Sequence, residues 1–259
     1  MILAIDTSTT ALSVAIGNRA GETTRQTWVD DGVYIHAERL LPLVDELLKT
    51  CGIDKHQLEA VAFSGGPGSY TGLRIGASTA KAIAHAAGIP ILPVDTCEVL
   101  AQGAVRRGDA QPGEHIYAAL DARRMEVFTA GFRVTSDTPW SRLERLGKTQ
   151  AAVLDGDGAV PPQDAFPQLD ENANALWVGD GALKLQKMLS NPSHWKFLAA
   201  APEAQDVLTL SAARWAAGHT ADLAYYEPAY LKEFAAALPK NPLGLGRLTQ
   251  NRLPKSLQS

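Results

Sequence analysis

The chain has 259 residues and a formal net charge of −4, a mild acidity that argues against a protein gripping nucleic acid alone through a basic surface. Apolar residues make up 46% and charged residues 20%, which suits one large or two small domains and excludes disorder of the whole chain. Two cysteines are too few for a disulfide framework, and neither a signal peptide nor a membrane-spanning apolar run is present, so we expect a cytoplasmic protein.

Three predicted strands open the chain. Residues 2–5 and 11–16 are largely apolar, and the more polar stretch 23–29 follows after a short turn, which together predict an antiparallel meander. Residues 34–51 then show helical spacing, with apolar side chains at steps of three and four. Pro42 lies inside that stretch, so we expect a kink or a later helix start there.

A polar turn follows the first predicted strand. Asp6 ends the strand, and Thr7, Ser8 and Thr9 come next. A carboxylate at a strand end can hold a hydrated cation, and hydroxyl and backbone N–H groups can bind phosphate. These four residues are therefore candidates for a nucleotide or phosphate site. The alternative is a polar turn that is only structural, which is common between strands.

A glycine-rich segment, GGPGSYTGLRIG, lies between a buried strand predicted at 60–64 and a helix predicted at 73–87. Gly66, Gly68 and Ser69 are candidate phosphate-binding residues, because a helix N-terminus presents unpaired N–H groups to an anion. The segment lacks the Lys-Ser or Lys-Thr of a Walker A loop and the third glycine of a GxGxxG fingerprint. Residue types alone predict a tight strand-to-helix turn that could hold an anion.

Small residues recur at every fourth position along this helix and its flanks, and such residues share one helix face. They are Gly72, Gly76, Ala80, Ala84 and Gly88. Glycine inside a helix costs about 1 kcal/mol, so close approach of another backbone is expected here. Two alternatives stay open, which are tight packing inside the same domain and a subunit interface.

The rest of the chain predicts further strands and helices and no internal repeat. Strands are predicted at 89–94, 116–120, 126–134, 149–154 and 175–178, helices at 97–107, 183–189 and 208–217, and a Gly/Pro-rich loop at 155–168. The segment DARRME carries Asp121, Arg123, Arg124 and Glu126. These charges predict either solvated ion pairs or a contact with a partner or with phosphate.

Five segments of the sequence resemble the TsaB (YeaZ) family and occur in that family's order. They are MILAIDTST, HAERLLPLVDELL, FSGGPGSYTGLRIG, DARRMEVF and EPAYLK, and they span residues 1–232. The resemblance implies an α/β, two-lobed ASKHA (actin-like ATPase, ribonuclease H-like) fold with mixed sheets flanked by helices. We place an N-terminal lobe at 1–104, a smaller C-terminal lobe at 105–207, a helix and segment packing back at 208–231, and a basic, flexible tail at 232–259.

The resemblance also implies a function. TsaB-type proteins are non-catalytic partners of TsaD, which transfers the threonylcarbamoyl group to the adenosine beside the anticodon in tRNAs reading codons that begin with A. TsaE and a second copy of the chain are further expected partners, and tRNA is reached through the complex. No cofactor is required, although ATP or ADP could bind at a degenerate site or at the partner interface. The implied partner surface comprises His36, Leu40, Leu41, Val44, Leu48, Leu73, Gly76, Ala80 and Ala84.

One departure from the TsaD pattern favours a non-catalytic protein. TsaD carries a metal-binding H-x-x-x-H in the corresponding helix, and two histidines four residues apart can share one metal. Here the pattern reads His36 to Leu40, so no metal site is expected, and His36 is expected at a helix start or an interface. An ATP-dependent small-molecule kinase of the same fold and a glycoprotease-like peptidase remain as alternatives.

Overall fold

Two lobes, each built on one β-sheet, make up the described part of a computed structural model. It describes residues 1–30, 32, 35–124, 126–135, 143–153, 166, 169–170, 172–187 and 193–231. The predicted tail at 232–259 and nearly all of the predicted loop at 155–168 lie outside the described residues. Within the described residues, no helix combines the length and apolarity needed to cross a bilayer.

The first sheet has the strand order β3-β2-β1-β4-β5. Its strands are β1 (Ile2–Asp6), β2 (Leu12–Gly17), β3 (Thr23–Val29), β4 (Ala60–Ser64) and β5 (Ile91–Val94). The first three strands pair antiparallel, which confirms the predicted meander, and β4 and β5 continue the sheet in parallel.

Five α-helices are described, besides a short 3₁₀ helix at Lys55–Gln57. They are α1 (His36–Cys51), α2 (Tyr70–Ala87), α3 (Thr96–Arg107), α4 (Ala182–Gln186) and α5 (Ala204–Ala216). The later start considered for α1 is wrong, because the helix begins before Pro42 and continues through it. Pro42 and the residue four positions earlier, Glu38, are both exposed, so water can reach the carbonyl that proline leaves without a donor.

Helices cover both faces of the first sheet. Leu3 of β1 lies in one apolar cluster with Leu40 of α1, whereas Ile2 lies in another cluster with Val207 of α5. Successive residues of a strand point to opposite faces. A strand buried on both faces is therefore apolar at every position, which explains the unbroken apolar run that opens the chain.

The second sheet has the order β11-β10-β6-β7-β8, with β9 also pairing β7. Its strands are β6 (His115–Asp121), β7 (Glu126–Val134), β8 (Leu143–Arg145), β9 (Gln150–Val153), β10 (Ala175–Val178) and β11 (Trp195–Leu198). Neither β8 nor β11 was predicted. Both are at most four residues long and lie at sheet edges, where a short run gives little periodicity to read.

The two sheets repeat one topology, which the sequence does not reveal. In each sheet the first strand (β1 or β6) pairs antiparallel with the next strand (β2 or β7), which pairs antiparallel with a third (β3 or β8). On the other side of the first strand, two parallel strands extend the sheet, β4 and β5 in one lobe and β10 and β11 in the other. The repeat places Asp6 at the end of β1 and Asp121 at the end of β6 in equivalent positions. This duplicated arrangement is the two-lobed ASKHA-type fold predicted from the sequence.

Helices α3 and α5 join the lobes. Leu100 of α3 lies in the apolar cluster of the second sheet, whereas Val99 lies in the cluster beneath α5. Arg106 donates hydrogen bonds to Asp206 at 2.8 Å and to Glu203 at 2.7 Å, both from the start of α5. The predicted boundary at 207/208 falls inside α5. The sequence does not mark the true start of this helix, because Glu203 before it makes no side-chain cap and is not of the Ser, Thr, Asp or Asn type that signals a helix start.

Replacing Gly72 with alanine is expected to destabilise the fold. A Cβ at Gly72 would overlap the backbone carbonyl oxygen of Thr7, and such overpacking costs about 2 kcal/mol, more than the gain of about 1 kcal/mol that alanine brings to a helix. Urea unfolding measures the change, with the exposed Ser78→Ala on the same helix as control. Equal or higher stability of Gly72→Ala would contradict the close contact.

Candidate functional site

A cleft of about 540 Å³ lies between the two lobes. The β1–β2 turn and the glycine loop form one wall, and the β6–β7 turn with the loop after β10 forms the other. The polar residues that border it are Ser8, Thr9, Thr10 and Ser69 on the first wall and Asp121, Arg123, Arg124 and Asp180 on the second. The cleft therefore brings together the polar turn, the glycine loop and the DARRM segment that the sequence singled out.

The Asp6 carboxylate is buried within the first wall. It accepts hydrogen bonds from the backbone and hydroxyl of Ser8, each near 3 Å, and from the hydroxyl of Ser64. Burial raises the pKa of Asp6 to about 6, and the hydrogen bonds from Ser64 and Ser8 oppose that rise. The carboxylate therefore accepts hydrogen bonds from protein groups and does not border the cleft, so its described partners hold the turn together.

The turn packs directly on the start of α2. The Thr7 hydroxyl donates to the carbonyl of Gly72 at 2.8 Å, and the Ser69 amide donates to the carbonyl of Ser8 at 2.7 Å. A Cβ at Gly76 would overlap the Thr7 hydroxyl. Of the two alternatives for the small-residue stripe, tight packing within the domain is therefore the one observed at these positions.

The residues predicted for phosphate binding divide into two groups. Ser8, Thr9, Gly68 and Ser69 border the cleft. The remaining three, Asp6, Thr7 and Gly66, do not border it, and Gly66 instead lies against the backbone of Ala229. Nucleotide binding by the first group stays a prediction.

Most residues predicted for a partner surface are buried inside their own lobe. These are His36, Leu40, Val44, Leu73, Gly76, Ala80 and Ala84. The expectation that these side chains face a partner is corrected, because they pack against the first sheet and the β1–β2 turn. Leu48 is half-buried, and Leu41 is 59% exposed. Gly76→Leu is expected to disturb the fold, because a side chain at this position would overlap the Thr7 hydroxyl.

His36 is the first residue of α1, as predicted, and its ring is buried. Its Nε2 lies 2.7 Å from the carbonyl oxygen of Thr9. Because a carbonyl only accepts, Nε2 carries the proton and donates. The helix start and the β1–β2 turn are thereby tied together.

The DARRM turn adopts an unusual backbone. Arg123 and Arg124 both have positive φ, at 67° and 53°, a left-handed conformation that costs a non-glycine residue about 1–2 kcal/mol. The Arg123 amide donates to Asp121 at 2.9 Å. Two consecutive residues held in this way indicate that the surrounding contacts determine the shape of the turn.

Asp180 and Lys184 supply those contacts. The Asp121 amide donates to Asp180 at 2.8 Å, and Lys184 donates to the Asp121 carboxylate at 3.0 Å and to the Arg124 carbonyl at 2.5 Å. Burial raises the pKa of Asp180, while a hydrogen bond from the Asp121 amide opposes the rise. Neither residue was predicted as part of the site.

A family model described as TsaD, tRNA N6-adenosine threonylcarbamoyltransferase, matches residues 34–240. A protein of Haemophilus influenzae named tRNA threonylcarbamoyladenosine biosynthesis protein TsaB is 32% identical over 89% of this chain and 93% of its own. The chain belongs to the TsaB (YeaZ) family. The Escherichia coli TsaB is 31% identical over 91% of this chain and 96% of its own.

A solved structure titled YeaZ from Pseudomonas aeruginosa has the same fold. It superposes with a TM-score of 0.73 at 31% identity and covers 89% of this chain and 99% of the other. The duplicated two-sheet architecture is therefore shared with a TsaB-family member of known structure.

Asp6→Asn tests the buried carboxyl of this TsaB-family chain. With a pKa of about 6 in the fold and 3.8 ordinarily, the folded state binds more protons between those values, so stability falls as pH rises through this range. Relative to wild type, Asp6→Asn should gain about 1 to 3 kcal/mol of unfolding free energy on going from about pH 4.5 to about pH 7.

Urea unfolding at both pH values measures this change, and Asp45→Asn on the exposed side of α1 controls for loss of a surface charge. Burial also raises the pKa of Asp206 to about 6. Asp206 is present in every protein compared, so its contribution to the pH dependence cancels in the differences. The same difference from wild type at both pH values would contradict the raised pKa.

Arg124→Gly is expected to raise the unfolding free energy by up to about 1 kcal/mol, because glycine adopts the left-handed region without strain. The matched control is Arg25→Gly, an exposed arginine in β3, where glycine should lower stability. Thermal and urea unfolding give both values. Destabilisation by both substitutions would rule out strain at Arg124.

Proposed function

We propose that this chain takes part in tRNA threonylcarbamoyladenosine biosynthesis as a non-catalytic partner of a TsaD-type transferase. The observation that carries the proposal is similarity at 31–32% identity over about nine-tenths of the chain to two proteins named for that pathway. The match of residues 34–240 to the TsaD family model supports a common architecture for the two subunits. Such likeness favours pairing between them.

The geometry of α1 supports a non-catalytic part for this chain. A metal site of the H-x-x-x-H type needs two imidazoles on one helix face. At the second position Leu40 is 1% exposed and lies in the apolar core, where it contributes packing. At the first position His36 donates its Nε2 proton to the β1–β2 turn. Both residues therefore hold the lobe together.

The outer surface of α1 is the proposed contact for TsaD. Leu41 projects from this helix with 59% exposure, and Pro42 beside it is also exposed. An exposed leucine on the solvent face of this amphipathic helix suits a protein partner. A second copy of the chain would compete for the same surface, and TsaE would join the pair. The role needs no resident cofactor, since the chain binds rather than reacts.

Leu41→Asp tests this surface. The charge would be buried on pairing, so affinity for TsaD should fall at least about tenfold, while the fold should persist because the side chain is exposed. Leu183→Asp is the matched control, since Leu183 is a leucine of α4 in the second lobe with 45% exposure. Titration calorimetry with purified TsaD measures both affinities, and thermal melts check folding.

Equal affinity of Leu41→Asp and wild type would remove α1 from the interface. If the wild-type chain forms no complex with TsaD, whether or not ATP and TsaE are present, the proposed partner role itself is wrong. ATP turnover with a panel of small-molecule acceptors would then favour the kinase alternative, and peptide cleavage the peptidase alternative.

A further inference from the structure

We propose that a groove beside β3 docks the chain's own basic segment, residues 232–259, through its lysine and arginine side chains. This goes beyond the partner role, which uses the outer surface of α1 and assigns nothing to the groove or to the segment. The β3 groove lies where the end of β3, the end of α3 and the residues before α5 meet, and its volume is about 610 Å³. The inference rests on an exposed indole, an excess of carboxyl groups, a buried hydroxyl and the charge of the basic segment.

Trp28 forms the aromatic side of the β3 groove. It lies near the end of β3, borders the groove and is 60% exposed. Gln26, two residues earlier, points to the same face of the strand, where its side chain donates to Glu203 at 2.8 Å. Arg25, by the same alternation, points to the opposite face. The indole therefore stands on the groove side of the strand, where its open ring can attract a lysine or arginine side chain by a cation–π interaction.

Carboxyl groups outnumber guanidinium groups around the β3 groove. The charged residues that border it are Asp30, Asp109, Asp180, Glu203 and Arg107. Arg107 pairs with Asp109 at 2.7 Å, and Arg106, behind the lining, pairs with Glu203 at 2.7 Å and with Asp206 at 2.8 Å. Burial raises the pKa of Asp180 and of Asp206. Even without those two carboxyl groups, the other three carboxylates exceed the two guanidinium groups, so the groove is negatively charged and suits a cationic segment.

Thr9 adds a hydrogen-bonding group to the β3 groove. It borders the groove and is 6% exposed, and within the described residues its hydroxyl has no hydrogen-bond partner. A buried hydroxyl without a partner is costly and rare. Ammonium and guanidinium groups are donors without acceptor capacity, so a basic side chain in the groove would satisfy the oxygen of this hydroxyl.

The basic segment matches the β3 groove in charge and in apolarity. Its charged residues are one acid, Glu233, and five bases, Lys232, Lys240, Arg247, Arg252 and Lys255. A leucine directly follows both Arg247 and Arg252. Beside its carboxylates the groove offers an apolar strip at residues 198–202. Adjacent basic and leucine side chains can therefore meet carboxylates and apolar surface together.

The basic segment starts within reach of the β3 groove. Leu231, the residue before it, borders the cleft between the lobes, and Thr9 and Thr10 border both this cleft and the groove. Lys240 follows Leu231 by nine residues, which span up to roughly 30 Å of extended chain. A tethered segment has a high effective concentration at a site that it can reach. Weak individual contacts therefore suffice for docking within one chain, an advantage that a second copy or another protein lacks.

Zero-length carbodiimide cross-linking of the full-length chain tests the proposal, because it joins a lysine to a carboxylate only where the two are in contact. Peptide mass spectrometry should find Lys240 or Lys255 joined to a groove carboxylate, which is Asp30, Asp109 or Glu203. Mixing unlabelled and ¹⁵N-labelled chains separates links within one chain from links between chains. The yield of groove links should fall at about 1 M salt, where the Debye length shrinks to about 3 Å.

Trp28→Ala keeps every carboxylate and every lysine, so it tests the β3 groove without changing the cross-linking chemistry. The yield of groove links should fall about two- to fivefold with loss of the cation–π interaction. Thermal melts should show an intact fold, because the side chain is exposed. The matched control is Tyr225→Ala, since Tyr225 is an aromatic residue with 86% exposure that does not border the groove, and its yield should equal that of wild type.

Three results would overturn the proposal. The first is that no lysine of the basic segment is joined to a groove carboxylate. The second is that the groove links run between chains, which would make the occupant a second copy. The third is an equal yield of groove links from wild type and Trp28→Ala. TsaD takes no part in these measurements, so a wrong partner role would leave their outcome unchanged.

Discussion

The close contact between the β1–β2 turn and the start of α2 is the constraint on which the first lobe depends. The Asp6 carboxylate accepts hydrogen bonds from the turn and from β4. Thr7 then meets Gly72 and Gly76 of α2 at distances that only glycine allows on the helix side. The first strand, the parallel strand beside it and the helix that follows are thereby fixed relative to one another. One wall of the cleft is formed as a consequence.

The second lobe repeats the topology but uses the equivalent turn differently. The first turn is closed by hydroxyl side chains that bond within the lobe. The DARRM turn instead carries two arginines in left-handed conformations, and Asp180 and Lys184 hold its backbone by hydrogen bonds. Strain of this kind persists where neighbouring contacts determine it and is common at binding sites. The asymmetry of the two turns gives the cleft one hydroxyl-rich wall and one wall with charged groups of both signs.

Much of the fold could be predicted from the sequence because its signals are local. The apolar run of β1 and the apolar spacing of α1 are both patterns of neighbouring residues. The duplication could not be seen, because topology repeats here without repetition of residues. The start of α5 was misplaced for want of a capping side chain, and β11 was too short to show a period.

The site was predictable in its parts and not in its arrangement. Asp6, the glycine loop and DARRM were each singled out, yet which of them faces the cleft depends on burial. Small residues spaced four apart indicate close approach, but the sequence cannot say whether the approaching backbone belongs to the same chain. The group that approaches Gly72 is the backbone of Thr7, and the group that approaches Gly76 is the Thr7 side chain. Thr7 belongs to the same chain but lies far away in sequence.

The measurement that tests the central claim most directly is incorporation of labelled threonine into tRNA by TsaD, TsaE and the enzyme that makes the threonylcarbamoyl donor, with and without this chain. The account predicts that modification requires the chain and TsaD together, and that the chain without TsaD produces none. Full modification in the absence of the chain, or modification by the chain in the absence of TsaD, would contradict a non-catalytic partner role.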